Sequence, residues 1–157
     1  MWLGLAVAVV IAVADQLSKL WVLGFFAARP AGPPVLSVAP FFNLVLTGNR
    51  GMSFGLFNND AAANTAIFTV LAALIVLGLL IWLRRAETML LKAAIGLVIG
   101  GAAGNVVDRL LRGAVVDFLD FHLGEWHWFA FNVADTAICV GVAALLLDGL
   151  LGRRGSA

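Results

Sequence analysis

Asp117 and Asp135 are the two residues around which a reaction could be built. Asp117 follows Val115-Val116, and Asp135 closes Asn132-Val133-Ala134-Asp135. Each lies close to one end of an apolar run of membrane-crossing length, and a bilayer tolerates carboxylates there only where protein or water receives them. Two carboxyl groups a few Å apart cannot both ionise cheaply, so they share a proton and titrate in two macroscopic steps. The ionised member can deprotonate a water; the protonated member can polarise a peptide carbonyl and protonate the leaving amine. That is peptide hydrolysis without a metal or a cofactor. The residues taken singly leave the question open. Asp117 also reads as an ordinary loop carboxylate, and Asp135 as an acid favoured by the dipole at a helix N-terminus.

Other chemistries find little support. There is no glycine-rich phosphate loop, no HExxH and no cysteine cluster. Cys139 is the only cysteine and lies within an apolar run, which removes an intrachain disulfide and a cysteine-based zinc site. His122 and His127 lack metal-ligand spacing on a helix. Ser18, Ser37, Ser53 and Ser156 have no histidine on a shared face, and Ser18 and Lys19 point to different sides of a helix. No metal and no cofactor are expected. A net charge of +1, with no basic run longer than a pair, gives no footing for nucleic acid.

The elements that must position the aspartates are membrane helices. The chain is 62% hydrophobic and 12% charged, with a mean hydropathy of +1.03; an ordinary soluble domain carries about 25% charged residues. A span needs about 20 mainly apolar residues, and four such segments are expected, near 2–26, 61–83, 88–110 and 131–151. The fold class is therefore an all-α polytopic membrane protein, a single membrane domain over 1–157. The first span is a retained helix rather than a signal peptide, because it lacks a basic start and carries Asp15 and Lys19. Those two lie four residues apart, on one helical face, where they can pair.

The third span carries Gly96, Gly100 and Gly104 at every fourth residue, a spacing that lets helix backbones approach closely in lipid. Asn105, Asp108 and Arg109 follow on one side of that helix, and Asp108 is spaced to pair with Arg112. The second span is uncharged, and packing is its expected role. Two long loops, 27–60 and 111–130, connect the spans on one side. Val35–Val38 and Phe41–Thr47 are β-branched and aromatic, bounded by Pro40 and Gly48, and read as short strands of a small sheet on the membrane surface. Met52–Phe57 mixes glycine with large apolar side chains and could cover a bound substrate helix. Arg84, Arg85, Lys92, Arg153 and Arg154 fall on one side, which predicts both termini in the cytoplasm and the aspartates facing outward. Trp21, Trp126 and Trp128 fit the outer interface.

Five motifs in order then give a resemblance. Asp15-Gln16-Leu17-Ser18-Lys19 fits DQxxK, and Asn49-Arg50-Gly51-Met52-Ser53-Phe54-Gly55 fits NxGxxFG. Gly100 to Arg109 fits GGAxGNxxDR, Val115 to Phe118 fits VVDF, and Phe131 to Asp135 fits FNxAD. The chain resembles the lipoprotein signal peptidases (signal peptidase II), bacterial inner-membrane aspartic proteases, over almost its whole length. Phe129 and Ser53 stand where the family often has Pro and Ala. The resemblance implies four transmembrane helices with a small extramembrane β-cradle, and Asp117 and Asp135 as the catalytic pair. It implies that Asn49, Gly51, Gly104, Asn105, Asp108, Arg109, Asn132 and Ala134 line or brace the site, with Asp15 and Lys19 as a supporting pair. The implied substrates are lipoprotein precursors carrying diacylglycerol on the lipobox cysteine, cut just before that cysteine, and the implied inhibitor is globomycin. Membrane lipid is the other partner, and a monomer suffices for a pair drawn from one chain.

Two other readings compete. A proton-coupled transporter would use Asp15, Lys19, Asp108, Arg109 and Asp135 as a relay, but would usually show internal repeats and polar groups near the midplane; here the acids gather toward one face. A membrane assembly factor held by glycine packing would have no use for two aspartates at one interface.

Overall fold

In a computed structural model, which describes residues 1–29, 32–50 and 61–154, the chain forms four long helices and one four-stranded antiparallel sheet. The helices are α1 (Trp2–Ala27), α2 (Ala61–Leu83), α3 (Met89–Arg112) and α4 (Val133–Arg154). All four are long and apolar enough to cross a membrane. The strands are β1 (Val35–Ala39), β2 (Phe42–Asn49), β3 (Val115–Leu123) and β4 (Trp126–His127), paired in that order. Gly51 and the Met52–Phe57 segment lie outside the described residues.

The expected spans fall on the four helices, with ends set by local capping. α3 starts after Thr88, whose Oγ accepts the Leu91 N–H at 2.9 Å, satisfying one of the free donors of a helix start. It ends at Gly113, whose φ of 72° lets its N–H turn back to the Arg109 carbonyl at 3.1 Å; a side chain there would be strained. α4 starts at Val133 because Asn132 caps it. The Asn132 Oδ1 accepts the Asp135 N–H at 2.9 Å, and Asp135 Oδ2 accepts the Asn132 N–H at 3.3 Å. This is a reciprocal capping box built from Asn and Asp.

α3 is the centre of the bundle and packs on α1, α4 and α2. Its glycines allow this. A Cβ on Gly100 would lie 2.6 Å from the Ala8 carbonyl oxygen of α1, and one on Gly101 would collide with the Ala134 carbonyl of α4. The Gly96–Gly100–Gly104 face is thus the α1 seam. Toward the end away from the sheet, Ala8, Leu83, Ala86, Ile95 and Ile99 form a buried apolar cluster. At the other end Val22 of α1 packs against Leu44, Val116 and Phe118 of the sheet.

Residues 35–38 fall in β1 and 42–47 in β2, as their composition predicts, while Phe41 belongs to the turn between them. The loop expected over 111–130 is not a loop for most of its length: it holds β3 and β4. β3 pairs with β2 so that Thr47 faces Asp117 and Leu44 faces Leu119, with a bulge in β2 between them. Val115, Val116 and Phe118 are all buried. A strand covered on both faces does not alternate apolar with polar, so its period of two is hidden.

Candidate active site

Asp117 sits on β3 and Asp135 in the first turn of α4. The chain between them is tied back on itself: the Phe131 carbonyl accepts the N–H groups of Phe118 and Leu119 at 3.0 and 2.9 Å, and the Phe131 N–H returns to the Leu119 carbonyl at 3.0 Å. That tether brings the start of α4 against β3. Asn132, fully buried, then touches both acids. Its side-chain Nδ2 donates to Asp117 Oδ1 at 2.7 Å, and its backbone N–H donates to Asp135 Oδ2.

Asp117 is 1% exposed. Burial pushes its carboxyl up from 3.8 to about 6; the nearby charge of Asp135 adds to this, while hydrogen bonds from Asn49 and Asn132 and the charge of Lys19 oppose it. Asp117 faces a cleft lined by Thr47, Asn49, Arg50 and Phe129. Asp135 is part-buried, and its Oδ1 accepts from Asn105 Nδ2 at 2.8 Å. The two carboxyl groups therefore share one bracing residue, Asn132, and differ in burial, and Asp117 opens on the cleft.

Behind them lies an ionic cluster with no solvent contact at its centre. Lys19 Nζ reaches Asp15 Oδ2 and Asp108 Oδ2, each at 2.8 Å, and Asn105 Oδ1 at 3.2 Å. Its three donors are thereby matched to three oxygens, which is what makes a fully buried ammonium tolerable. Asp108 also accepts from Arg112 at 2.6 Å and from the Val116 N–H at 3.0 Å, fixing the start of β3 to α3. Asp15 Oδ1 accepts the Ala134 N–H at 2.9 Å, so an acid of α1 caps the first turn of α4. Gly104 has no side chain because the Asp15 carboxylate occupies that space.

The structure brings Asp15, Lys19, Asn49, Gly104, Asn105, Asp108, Asn132 and Ala134 together around Asp117 and Asp135. Arg109 stays outside the ion-pair cluster. Among the described residues it lies over the Phe68 ring at 5.9 Å, its Nη1 reaches Asn105 O of its own helix at 3.5 Å, and its buried Nε has no hydrogen-bond partner. Gly51 is not among the described residues. Gln16 is a site member that the sequence reading passes over: its Nε2 lies within 3.2 Å of Asp15, Gly104 O and Asp108, and its Oε1 accepts from Arg112. Gln16 and Ser18 are the two polar residues between Asp15 and Lys19, and nothing in their spacing marks Gln16 as the one that reaches α3. Among the described residues no group of His, Cys, Asp and Glu is placed to hold a metal ion.

Residues 7–151 match the family described as signal peptidase (SPase) II. A lipoprotein signal peptidase of Rhodopseudomonas palustris is 45% identical over 155 residues, covering 96% of this chain and 93% of the relative. One of Paraburkholderia phymatum is 44% identical over 156 residues, covering 99% and 90%. Two solved structures of a bacterial membrane enzyme share the fold. One has a TM-score of 0.78 at 25% identity over 98% of this chain and 91% of the other. The second has a TM-score of 0.75 at 26% identity, with 94% and 92% covered.

Proposed function

This chain belongs to the signal peptidase II family, and on that premise we propose that it is an aspartic endopeptidase whose catalytic pair is Asp117 and Asp135. As a family member it is a multi-pass membrane peptidase that removes signal peptides from prolipoproteins. The observation that carries the two-aspartate reading is Asn132: one buried residue donates to both carboxyl groups, at 2.7 Å to Asp117 and 3.3 Å to Asp135. Such a brace is expected where two acids must stay close despite repelling each other when ionised.

The substrate is a precursor whose cysteine already bears diacylglycerol, and the bond cut is the one before that cysteine. One aspartate takes a proton from a water, whose oxygen bonds to the scissile carbonyl carbon. The other donates its proton to the carbonyl oxygen; the cysteine nitrogen then takes a proton from the pair as the C–N bond breaks, and the diol returns one as it becomes the new carboxyl group. The pair ends with one proton, as it began. The acyl chains stay in lipid while the scissile bond reaches the aspartates at the sheet end of the bundle. Both termini lie in the cytoplasm and the sheet on the outer side, in keeping with the basic residues at the opposite helix ends. Asn49, Asn105, Asp108, Arg109, Ala134 and Gly51 line or brace the site, and one chain holds all of it.

The test is cleavage of a diacylglyceryl-modified prolipoprotein by purified protein in lipid. Asp117→Asn and Asp135→Asn should each be folded and inactive. Near-normal turnover by either would make that aspartate structural.

A further inference from the structure

The cleft over Asp117 has two ends, and they differ in what they offer a substrate. We infer that Phe129 is a specificity-determining residue: its ring receives the side chain that follows the lipidated cysteine and favours an apolar one there. The inference deepens the proposed reading of the site and rests on it.

The two ends are told apart by what adjoins them. Arg50 lines the cleft and also a second cavity, between α2 and α3, whose walls include Thr69, Val70, Arg109 and Leu110. Val70 and Leu110 are exposed on membrane-length helices, so that cavity opens toward lipid. The apolar stretch of a signal peptide is at home in the bilayer. It therefore approaches from the helices, by the Arg50 end. The chain beyond the cut leaves the membrane and passes over the sheet. Phe129 and Ala130 belong to the connection from β4 to α4, and they line the cleft but not the cavity between α2 and α3. Because the acyl chains of the cysteine stay in lipid, the first side chain to meet that connection is the one after the cysteine.

Phe129 is placed to receive it. Its side chain is 75% exposed, and among the described residues no other aromatic ring packs on it, whereas Phe121 stacks on Phe131 and Trp126 meets Trp128 edge-on. The backbone on either side is held: the Trp128 N–H donates to the Phe121 carbonyl at 2.8 Å, and the Phe131 N–H to the Leu119 carbonyl at 3.0 Å. The ring is thus presented from a fixed position. Gly48, Ala114 and Ala130 line the same cleft and are small. Among the described residues a Cβ on Gly48 would meet Ala114 Cβ alone, at 3.6 Å, so the cleft keeps room for a side chain beside the ring. An apolar side chain laid there removes water from two apolar surfaces. A polar one of equal size gives up its own water and finds no hydrogen-bonding group on a phenyl ring.

The experiment is a competition in lipid between two diacylglyceryl-modified precursors that differ only in the residue after the cysteine, Leu in one and Asn in the other. Their relative rates of cleavage give the ratio of kcat/KM values. The wild-type protein should favour the Leu precursor about tenfold, the discrimination a hydrophobic contact of this size supplies. Phe129→Ala should bring the ratio to about twofold or less, and Phe129→Leu should keep about fivefold. If Phe129→Ala does not fold, Phe129→Gln, which keeps bulk but not apolarity, takes its place with the same expectation. A wild-type ratio within about twofold overturns the inference. So does a tenfold ratio that survives in Phe129→Ala, including the case where both precursors slow alike, because the ring would then serve lipid contact or the fold. Either result leaves the two-aspartate reading intact as long as Asp117→Asn and Asp135→Asn are inactive, and turnover by one of those variants sinks that reading on its own.

Discussion

α2 and α3 are both membrane-length helices, and they are built in opposite ways. α2 is the more hydrophobic, with a hydropathy of 2.8 over its most apolar stretch, yet only 6% of that stretch is buried; for α3 the figures are 1.7 and 56%. In water this order would be inverted. In a bilayer, lipid tails are as apolar as leucine, so hydrophobicity marks the lipid-facing helix, and small or polar residues mark the packed one. α2 touches the bundle along α3 and shows Ile67, Val70, Leu74, Leu77 and Ile81 to its surroundings. α3 buries four glycines, Asn105 and Asp108. The packing role that the uncharged second span suggests is met on one side only.

That contrast can be broken or sharpened by experiment. The largest effect is expected for what α3 holds in place: Asp117→Asn or Asp135→Asn should lower turnover by about 10²- to 10⁴-fold, measured on a lipidated precursor, whereas Leu74→Ala on α2 should stay within about twofold. Next comes packing. Gly101→Val sets a side chain against the Ala134 carbonyl, while Gly78 of α2 has nothing within 4 Å. The first should cost about 1–3 kcal/mol and Gly78→Val well under 1, by unfolding in mixed detergent.

The pH response is of intermediate size. Asp117 is protonated below about 6 and ionised above it. A pair that works with one shared proton should therefore lose turnover as pH rises through about 6, approaching tenfold per unit beyond that point. A flat rate from pH 5 to 8 would refute it. The smallest effect separates the helices again. Ile95→Ala, at a fully buried site of α3, should cost about 2 kcal/mol through lost contacts; Leu77→Ala, 57% exposed on α2, should fall within about 0.5 kcal/mol. Equal costs would mean that α2 is covered by protein.

The sequence carries the helical part of this architecture because each span is a local property. Asp15–Lys19 and Asp108–Arg112 are legible for the same reason: four residues on a helix bring side chains together wherever the helix goes. β3 is not legible that way. Its burial on both faces erases alternation, so the β-branched and aromatic run between Gly113 and Gly124 lacks the period of two that marks a strand. The reach of Lys19 to Asn105, and of Asp15 to the Ala134 N–H, joins residues 86 and 119 positions apart. No spacing rule encodes such contacts; they depend on the glycines of α3 drawing α1 and α4 close enough. Gln16 is hidden for a related reason, since all but one of its contacts lie on α3.

The spacing of Asp15 and Lys19 also bears on how such a protein is made. α1 leaves the ribosome ahead of α3 and α4, and so enters the bilayer before Asn105, Asp108 or the Ala134 N–H has been made. A lone Asp15 or Lys19 would then wait in hydrocarbon without a partner, at a cost of about 3 kcal/mol each on translocation scales. Because the two are a helical turn apart and meet at 2.8 Å, α1 brings its own counter-ion and can be threaded as a neutral segment. The same pair is later divided among newcomers: Lys19 extends to α3, and Asp15 turns its other oxygen to α4. Since α4 follows the other three helices in the chain, the pocket can assemble only after α4 has been made and has reached α1 and α3.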